Sequence, residues 1–340
     1  MATVHVSVFG KTDLGRTRDH NEDTFLVADL TRKVASLQPD VREHEVGPRG
    51  TLFVVADGMG GAAAGEVASR MAADAIFSHM TTVWTSDGDT SANRFAYRMK
   101  EAVELANNRI HAHAREHPEV RGMGTTATVA GVLGSNLYLA QVGDSRAYLV
   151  RRGTCTQITK DQSLMQRLVE AGEITEEEAE HSERRNIILQ ALGPDPRVKV
   201  DLTWQPVQKG DVLVLCSDGL SGQVKREEIG QLASETPDLM ELCSKLVELA
   251  NERGGPDNIT AVAARFGGEA LPEASSDAGV GHQVYPLAEG EATTEPVPVY
   301  TGSPPPVPLS EQPPAHGHKG AIGAFALLAL AVVLYLLFGR

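Results

Sequence analysis

The sequence predicts an α+β fold in which antiparallel strands are covered by amphipathic helices, and three observations carry that expectation. Residues 125–133, 136–142 and 146–151 are strand-like runs joined only by Gly134-Ser135 and Gly143-Asp144-Ser145, the spacing of an antiparallel meander. Two longer segments, 63–80 and 93–117, place apolar residues on one helical stripe. These are Val67, Met71 and Ala75 in the first, and Phe95, Met99, Ala102, Val103, Ala106 and Ile110 in the second, a face broad enough to pack on a sheet. Third, the apolar run 52–56 ends abruptly in Asp57-Gly58-Met59-Gly60-Gly61, and the same construction recurs where 211–216 runs into Ser217-Asp218-Gly219.

In chain order, Val4, Val6 and Val8 alternate with His5 and Ser7 as in a half-buried strand. A polar, irregular segment, 12–23, contains Arg18-Asp19-His20-Asn21-Glu22-Asp23, and 25–28 resumes a strand. A polar loop then leads to Gly50, the 52–56 strand and the two helices. His113 and His117 lie four apart on the second helix, but with no carboxylate partner evident a solvated helix end accounts for them better than a metal pair. Residues 154–159 add a strand after the meander. Segments 162–172 and 175–181 read as short helices around the acidic run Glu176-Glu177-Glu178, too polar for a core, so 160–195 is expected to be a flap. Strand character returns at 211–216. A helix over 237–253 carries Leu242, Leu246 and Leu249 or Ala250 on one face and is closed by Gly254-Gly255-Pro256, and 259–266 forms the last strand.

The chain of 340 residues has room for one large domain or two ordinary ones and can bury a real core. Its 45 acidic against 31 basic residues, formally -14, argue against nucleic acid or an anionic membrane surface as the main ligand. Cys155, Cys216 and Cys243 are odd in number and far apart, outside any disulfide or zinc pattern, and read as buried hydrophobes of a reducing compartment. No signal peptide is evident. Beyond Gly268 the composition turns to Pro, Glu, Ser and Thr, which cannot bury enough apolar area to fold. Residues 321–338 are then 18 uncharged, Leu-, Ala- and Val-rich residues, enough to span a bilayer. The expected organisation is a catalytic domain over 1–268, a Pro-rich disordered linker over 269–318, and a single-pass C-terminal anchor over 319–340. The catalytic domain is expected on the cytoplasmic side of the cell membrane.

Asp57, Asp218 and Asp257 stand at strand ends or starts, and Asp144 sits in a tight turn between two more. One such residue is an ordinary turn residue. Four suggest convergence on divalent cations, because carboxylates packed together destabilise one another unless a cation neutralises them. Mg²⁺ and Mn²⁺ take oxygen ligands, and an Asp-Gly pair offers a carboxylate and a bare carbonyl from adjacent residues. A competing pattern exists: Gly58-Met59-Gly60-Gly61-Ala62-Ala63 fits the dinucleotide-binding G-x-G-x-x-G/A fingerprint, although Asp57 would then face a pyrophosphate and the other aspartates would have no role.

Arg18-x-x-x-Glu22-Asp23, Ala56-Asp57-Gly58-Met59-Gly60-Gly61, Met123-Gly124-Thr125-Thr126, Gly143-Asp144-Ser145-Arg146-Ala147-Tyr148, Cys216-Ser217-Asp218-Gly219-Leu220 and Asp257-Asn258-Ile259-Thr260 follow one another in order. In this the chain, over about 3–267, resembles the bacterial branch of the metal-dependent type-2C serine/threonine protein phosphatases. The resemblance implies a four-layer α/β/β/α fold, a central antiparallel β-sandwich flanked by helices, and two to three Mn²⁺ or Mg²⁺ ions per active site. By similarity Asp57 bridges two ions, Gly58 gives its carbonyl to the first, Asp218 and Asp257 complete the second, and Asp144 with Asp218 forms a third site. Glu22 resembles the outer-sphere residue that holds metal-bound water, and Arg18 the phosphate-binding arginine, a role suited to a guanidinium fork. A bridging water, made acidic by the paired ions, then attacks phosphoserine or phosphothreonine without a covalent intermediate. Met59 stands where eukaryotic members carry a histidine as candidate general acid, which leaves metal-bound water or His20 for that role. The implied partners are phosphorylated proteins and the serine/threonine kinases opposed by the enzyme, with a monomeric catalytic domain and no nucleic acid. A catalytically dead phosphoprotein-binding scaffold would lack at least one ligand, and all are present.

Overall fold

The computed structural model describes residues 3–35, 43–275 and 279–287. Strands β1 (His5–Asp13) and β2 (Asp23–Asp29) are followed by the short β3 (Val34–Ala35) and β4 (Glu43–Glu45), then by β5 (Thr51–Met59) and the helices α1 (Ala62–Thr82) and α2 (Ala92–Glu116). Next come β6 (Gly124–Thr125), β7 (Ala127–Leu133), β8 (Asn136–Val142), β9 (Arg146–Arg151) and β10 (Thr154–Gln157), and the short helices α3 (Leu164–Glu170) and α4 (Glu176–Glu180). The chain continues through β11 (Asp201–Pro206), β12 (Val212–Cys216), α5 (Asp218–Ser221), α6 (Arg226–Glu235) and α7 (Leu239–Glu252) to β13 (Ile259–Gly267).

Two antiparallel sheets result. One has the order β10-β9-β12-β13-β1-β4 and the other β11-β8-β7-β5-β2-β3, with β6 paired to the end of β5. Period-two alternation places each strand between two cores. Along β5, Phe53 and Val55 enter the core between the sheets with Leu139, Leu149, Leu215 and Val262, whereas Leu52, Val54 and Ala56 face α1 and α2. Along β12, Leu213 and Leu215 face the sandwich while Val212, Val214 and Cys216 pack with Leu242 and Leu246 of α7. These three apolar layers define α/β/β/α, the four-layer fold expected of the family. The first two helices begin within a residue of the expected positions, α2 behind Ser91, whose side chain accepts from the Arg94 amide.

The expected meander is corrected in one place. β7 and β8 pair as a hairpin, but β9 joins the opposite sheet, beside β10 and β12. Gly143-Asp144-Ser145 is therefore a crossing between sheets, with Gly143 at φ 102°. Side chains replace the missing ladder bonds there. Gln141 Nε2 donates to the carbonyls of Gly143 and Ser145, and Thr128 Oγ1 donates to the Ser145 carbonyl at 2.7 Å. Strand β11 and helix α6 were not anticipated, since the former is a polar edge strand and the latter carries only a narrow apolar face, Ile229 and Ala233.

The segment after 268 also differs from a structureless linker. Leu271 is buried, the Lys209 amide donates to the Pro272 carbonyl, and the Ser275 amide donates to Gln208. Residues 283–285 then lie antiparallel along the free edge of β11, with Trp204 N–H donating to the Gln283 carbonyl and Tyr285 N–H to the Leu202 carbonyl. Tyr285 packs edge-on to Tyr138 at 5.4 Å and to Trp204 at 6.4 Å. Sparse apolar residues in a polar composition suffice because an edge strand supplies the backbone partners. Residues 288–340, which include the predicted span, lie outside the described residues. Among the described residues no helix is long and apolar enough to cross a membrane.

Replacing Tyr285 by Ala is expected to cost about 1–2 kcal/mol, a fall in Tm of about 3–6 °C. An unchanged melting curve by calorimetry would show that the strap does not support the fold.

Candidate active site

Five chain turnings meet at one edge of the sandwich. Cys216, the last residue of β12, pairs with Arg146 and Ala261, so the residues that follow β12 and precede β9 and β13 share an edge: Asp218, Asp144 and Asp257. Asp13 at the end of β1 pairs with Ile259, so the loop bearing Arg18 leaves from that edge too. From the other sheet β5 delivers Asp57, paired in register with Asp23 of β2.

The backbone of Asp57 is held on both sides, its N–H donating to Thr126 Oγ1 at 3.0 Å and its carbonyl accepting from Thr126 N–H and Thr125 Oγ1 at 2.8 and 2.9 Å. These bonds interrupt β6–β7 at Thr126 and leave the carboxylate as the group Asp57 has to offer. Gly58 is confined as well: a Cβ there would lie 2.2 Å from the Gly65 carbonyl and 2.6 Å from that of Glu22. Gly65 in turn has no room for a Cβ, because Glu22 Oε2 occupies it. The N-terminal turn of α1 is thus pressed against the Asp57 loop and Glu22.

Asn258 shapes the loop that carries Arg18. Its Nδ2 donates to the carbonyls of Leu14 and His20 at 3.0 and 2.9 Å, and its Oδ1 accepts from Glu22 N–H at 2.8 Å. Arg18 Nη2 lies 2.8 Å from Asp257 Oδ2, with about half of the arginine side chain exposed. His20 is exposed, and its carbonyl, not its ring, is engaged. His113 and His117 stack on each other at 3.9 Å at the end of α2.

The electrostatics are those of an overcrowded site. Burial, then Asp23, Asp218 and Asp144, push the Asp57 carboxyl well above the usual range. Asp218 is raised by burial and by Asp257. Asp144 is pushed up to about 7 by burial, then by Asp218 and Asp161, against the pull of Arg146. Glu22 is raised by burial, with Arg18 opposing.

Asp23, not singled out from the sequence, is pushed up to about 7 by burial although the Ser217 and Thr260 hydroxyls donate to its Oδ2 at 2.7 and 2.6 Å. Among the described residues its Oδ1 has no partner. Its position directly after Glu22 was the only available signal. Thr126 and Asn258 stand inside motifs quoted for the family resemblance but were given no role there, and Gly65 was not singled out; the partners that give the first two their role are remote, Thr126 lying 69 positions from Asp57 and Asn258 236 from Glu22.

A cation fits this donor set: several buried oxygens of like charge, one of them orphaned, at a point where strand ends also bring carbonyls. Among the described residues no three His, Cys, Asp or Glu side chains converge tightly enough to hold an ion unaided. Ions that keep several waters and take one or two carboxylates each do not need that. The three cysteines are free and buried or half-buried, their thiols pushed up to about 12 by burial, so none is a nucleophile. The dinucleotide alternative fails on topology, since β5 is antiparallel to both neighbours and forms no parallel βαβ unit.

A helix-flanked sandwich with carboxylates gathered at one edge defines the class, and the chain belongs to it: a family profile described as Protein phosphatase 2C matches residues 33–262. The serine/threonine protein phosphatase PstP of Mycobacterium tuberculosis is 42% identical over 213 residues, 63% of this chain and 40% of that protein. The chain therefore spans two fifths of the length of this relative. The serine/threonine phosphatase stp of Listeria innocua is 36% identical over 251 residues, covering 74% of this chain and 92% of its own. Among solved structures, the catalytic domain of PstP in complex with two manganese ions superposes with a TM-score of 0.63 at 35% identity, over 78% of this chain and all of that domain.

The raised carboxyls have a consequence for stability in chelator. Each binds its proton more tightly in the folded than in the unfolded chain, so its favourable contribution is full below the unfolded value near 3.8 and is lost as pH rises to about 7. The cation-free protein is expected to melt several degrees lower at pH 8 than at pH 5, and Asp218→Asn to narrow that gap by melting higher than the parent at pH 8. A parent Tm that rises from pH 5 to pH 8 would contradict this.

Proposed function

We propose that the chain is a protein serine/threonine phosphatase that hydrolyses phosphoserine and phosphothreonine esters on proteins, reversing serine/threonine kinase signalling. The observation that carries this is the cluster of Asp57, Asp218, Asp144 and Asp257, whose charges oppose one another at a common edge. Asp57, the Gly58 carbonyl, Asp218 and Asp257 would hold two Mn²⁺ or Mg²⁺ ions, Asp144 with Asp218 a third, and Glu22 would act from the outer sphere. The two manganese ions of the PstP catalytic domain support that assignment. Bound cations would supply an acidified water and Lewis-acid stabilisation of the phosphoryl group.

The chain's own residues bind and orient. Arg18 stands exposed on the edge with its guanidinium beside Asp257, and suits a phosphate dianion through a bidentate fork. The Thr125 and Thr126 contacts fix the height of the Asp57 carboxylate, and Asn258 fixes the Arg18 loop against β13. Met59 brings no proton donor next to Asp57. The 18 uncharged residues over 321–338 support a C-terminal membrane anchor. On this reading the folded body, expected as 1–268, extends to 287, and the linker runs from there to about 318.

The full chain is expected to release phosphate from a phosphothreonine peptide only with millimolar Mn²⁺ or Mg²⁺. Asp57→Asn should lower kcat by ~10²–10³-fold, the scale of a lost cation contribution. Arg18→Ala should raise KM by ~10-fold with a smaller effect on kcat. Turnover in chelator equal to that with cation would defeat the proposal.

A further inference from the structure

Beside the catalytic edge lies a cleft of about 570 Å³ that the phosphatase chemistry does not use. One wall is the C-terminal turn of α2 and the residues after it, with His111, Arg115 and Arg121; the other is Gly193-Pro194, where the flap segment returns. The walls are tied together, since the Gly193 amide donates to Asn107 Oδ1 at 2.8 Å and the Gly193 carbonyl lies 2.8 Å from His111 Nδ1. The Asp195 carbonyl accepts from Asn107 Nδ2. Gly193 takes φ 105°, and a Cβ there would strike Ile110 at 2.5 Å, so its close approach to α2 is built in.

Two features set this cleft apart. Its lining carries three basic side chains and no carboxylate, in a chain with 45 acidic against 31 basic residues. Arg115 and Arg121 are exposed, and among the described residues neither is paired with an acid. The cleft is also continuous with the catalytic loop. Met123 lines it, and its Cα lies 3.0 Å from where a Gly60 Cβ would be, while Gly124 pairs with Met59. Gly60 stands three positions beyond Asp57, roughly 10 Å of extended chain.

We infer that this cleft is a subsite of the phosphatase for the substrate polypeptide flanking the phosphorylated residue, and that Arg115 and Arg121 select an anionic side chain, carboxylate or phosphate, about three residues away. The inference rests on the phosphatase reading. Free cations in a cleft that adjoins a carboxylate-lined reaction centre divide the surface by sign. The edge holding Asp57 repels acidic flanks, and the cleft offers them a place. The volume accommodates a few side chains rather than a folded domain.

The test is steady-state hydrolysis by the full chain, with Mn²⁺, of phosphothreonine peptides carrying Glu, phosphoserine or Gln three residues from the phosphothreonine on either side, and of para-nitrophenyl phosphate. The wild type is expected to favour one Glu peptide over its Gln counterpart by ~3–10-fold in kcat/KM, and phosphoserine by more, with the preference shrinking in high salt. A greater gain from phosphoserine than from Glu identifies phosphate as the preferred anion, and equal gains identify charge alone. Arg115→Ala with Arg121→Ala should abolish the preference while leaving para-nitrophenyl phosphate and the Gln peptides unchanged, and Arg121→Glu should invert it.

No preference in the wild type, or one that survives in the double variant, overturns the inference without touching the phosphatase reading. So does an equal loss on every substrate, which marks a structural role. If the wild type turns over nothing, the phosphatase reading fails, and fluorescence anisotropy of the same labelled peptides still judges the cleft. Tighter binding of the acidic peptides that is lost in the double variant supports it, and equal binding refutes it.

Discussion

The structure depends on one constraint: carboxylates from separate strand ends are forced into a common, poorly solvated edge where they oppose one another. Nothing in the local sequence around any single aspartate requires this. It follows from two sheets whose strands end together, so that Asp218, Asp144 and Asp257 leave one sheet where Asp57 and Asp23 leave the other. The cost of gathering these charges is met by the apolar layers on either side of each sheet, which extend up to the strand ends through Ala56 and Cys216. A fold stabilised mainly by its own charges could not hold such a cluster.

Neutral hydroxyls and amides hold the edge in shape. Thr126 bonds Asp57 N–H and lies 2.7 Å from Ser145 Oγ, linking the two sheets where the crossing through Asp144 is made. Ser217 and Thr260 donate to Asp23, tying β12 and β13 to β2. Hydroxyls satisfy buried backbone and carboxylate groups without adding charge, which matters where every added anion raises the others. The flap is rooted in the same way and with one ion pair. Gln162 accepts from Gly143 N–H and donates to Asp201, and Arg146 forks onto Asp161 at 2.7 to 3.0 Å. The base of the flap and the position of Asp144 are therefore set by shared bonds.

Much of this was legible in the sequence where the signal is local. The apolar run ending at Asp57 and its repeat at Asp218 appear as strands with the aspartate at or just past the end, and the stripe on α2 from Phe95 to Ile110 is buried as its period demands. What was not legible is long-range. A three-residue turn such as Gly143-Asp144-Ser145 has the same sequence appearance whether it closes a hairpin or crosses between sheets, because the choice is made by Gln141 and Thr128 reaching its carbonyls. Asp23 was overlooked for a similar reason, its partners lying 194 and 237 positions away. The strap over 283–285 was hidden by composition, since its ladder is contributed by β11 and only Tyr285 carries the packing.

Arg18 illustrates how the cluster conditions the groups around it. Its guanidinium lies against Asp257, and that hydrogen bond is the main cause of its raised affinity for the proton. An ion pair this exposed is worth no more than ~1 kcal/mol, so it positions the arginine without committing it. A phosphate dianion brought to the edge offers the same guanidinium two oxygens in place of one and a larger charge, and it would displace the carboxylate contact at little expense. Asp257 then needs another counter-ion, which on the proposed assignment is a cation it helps to hold. On that assignment substrate and cation binding would be coupled through one side chain. The coupling follows from the loop that Asn258 fastens to β13, which keeps Arg18 within reach of both.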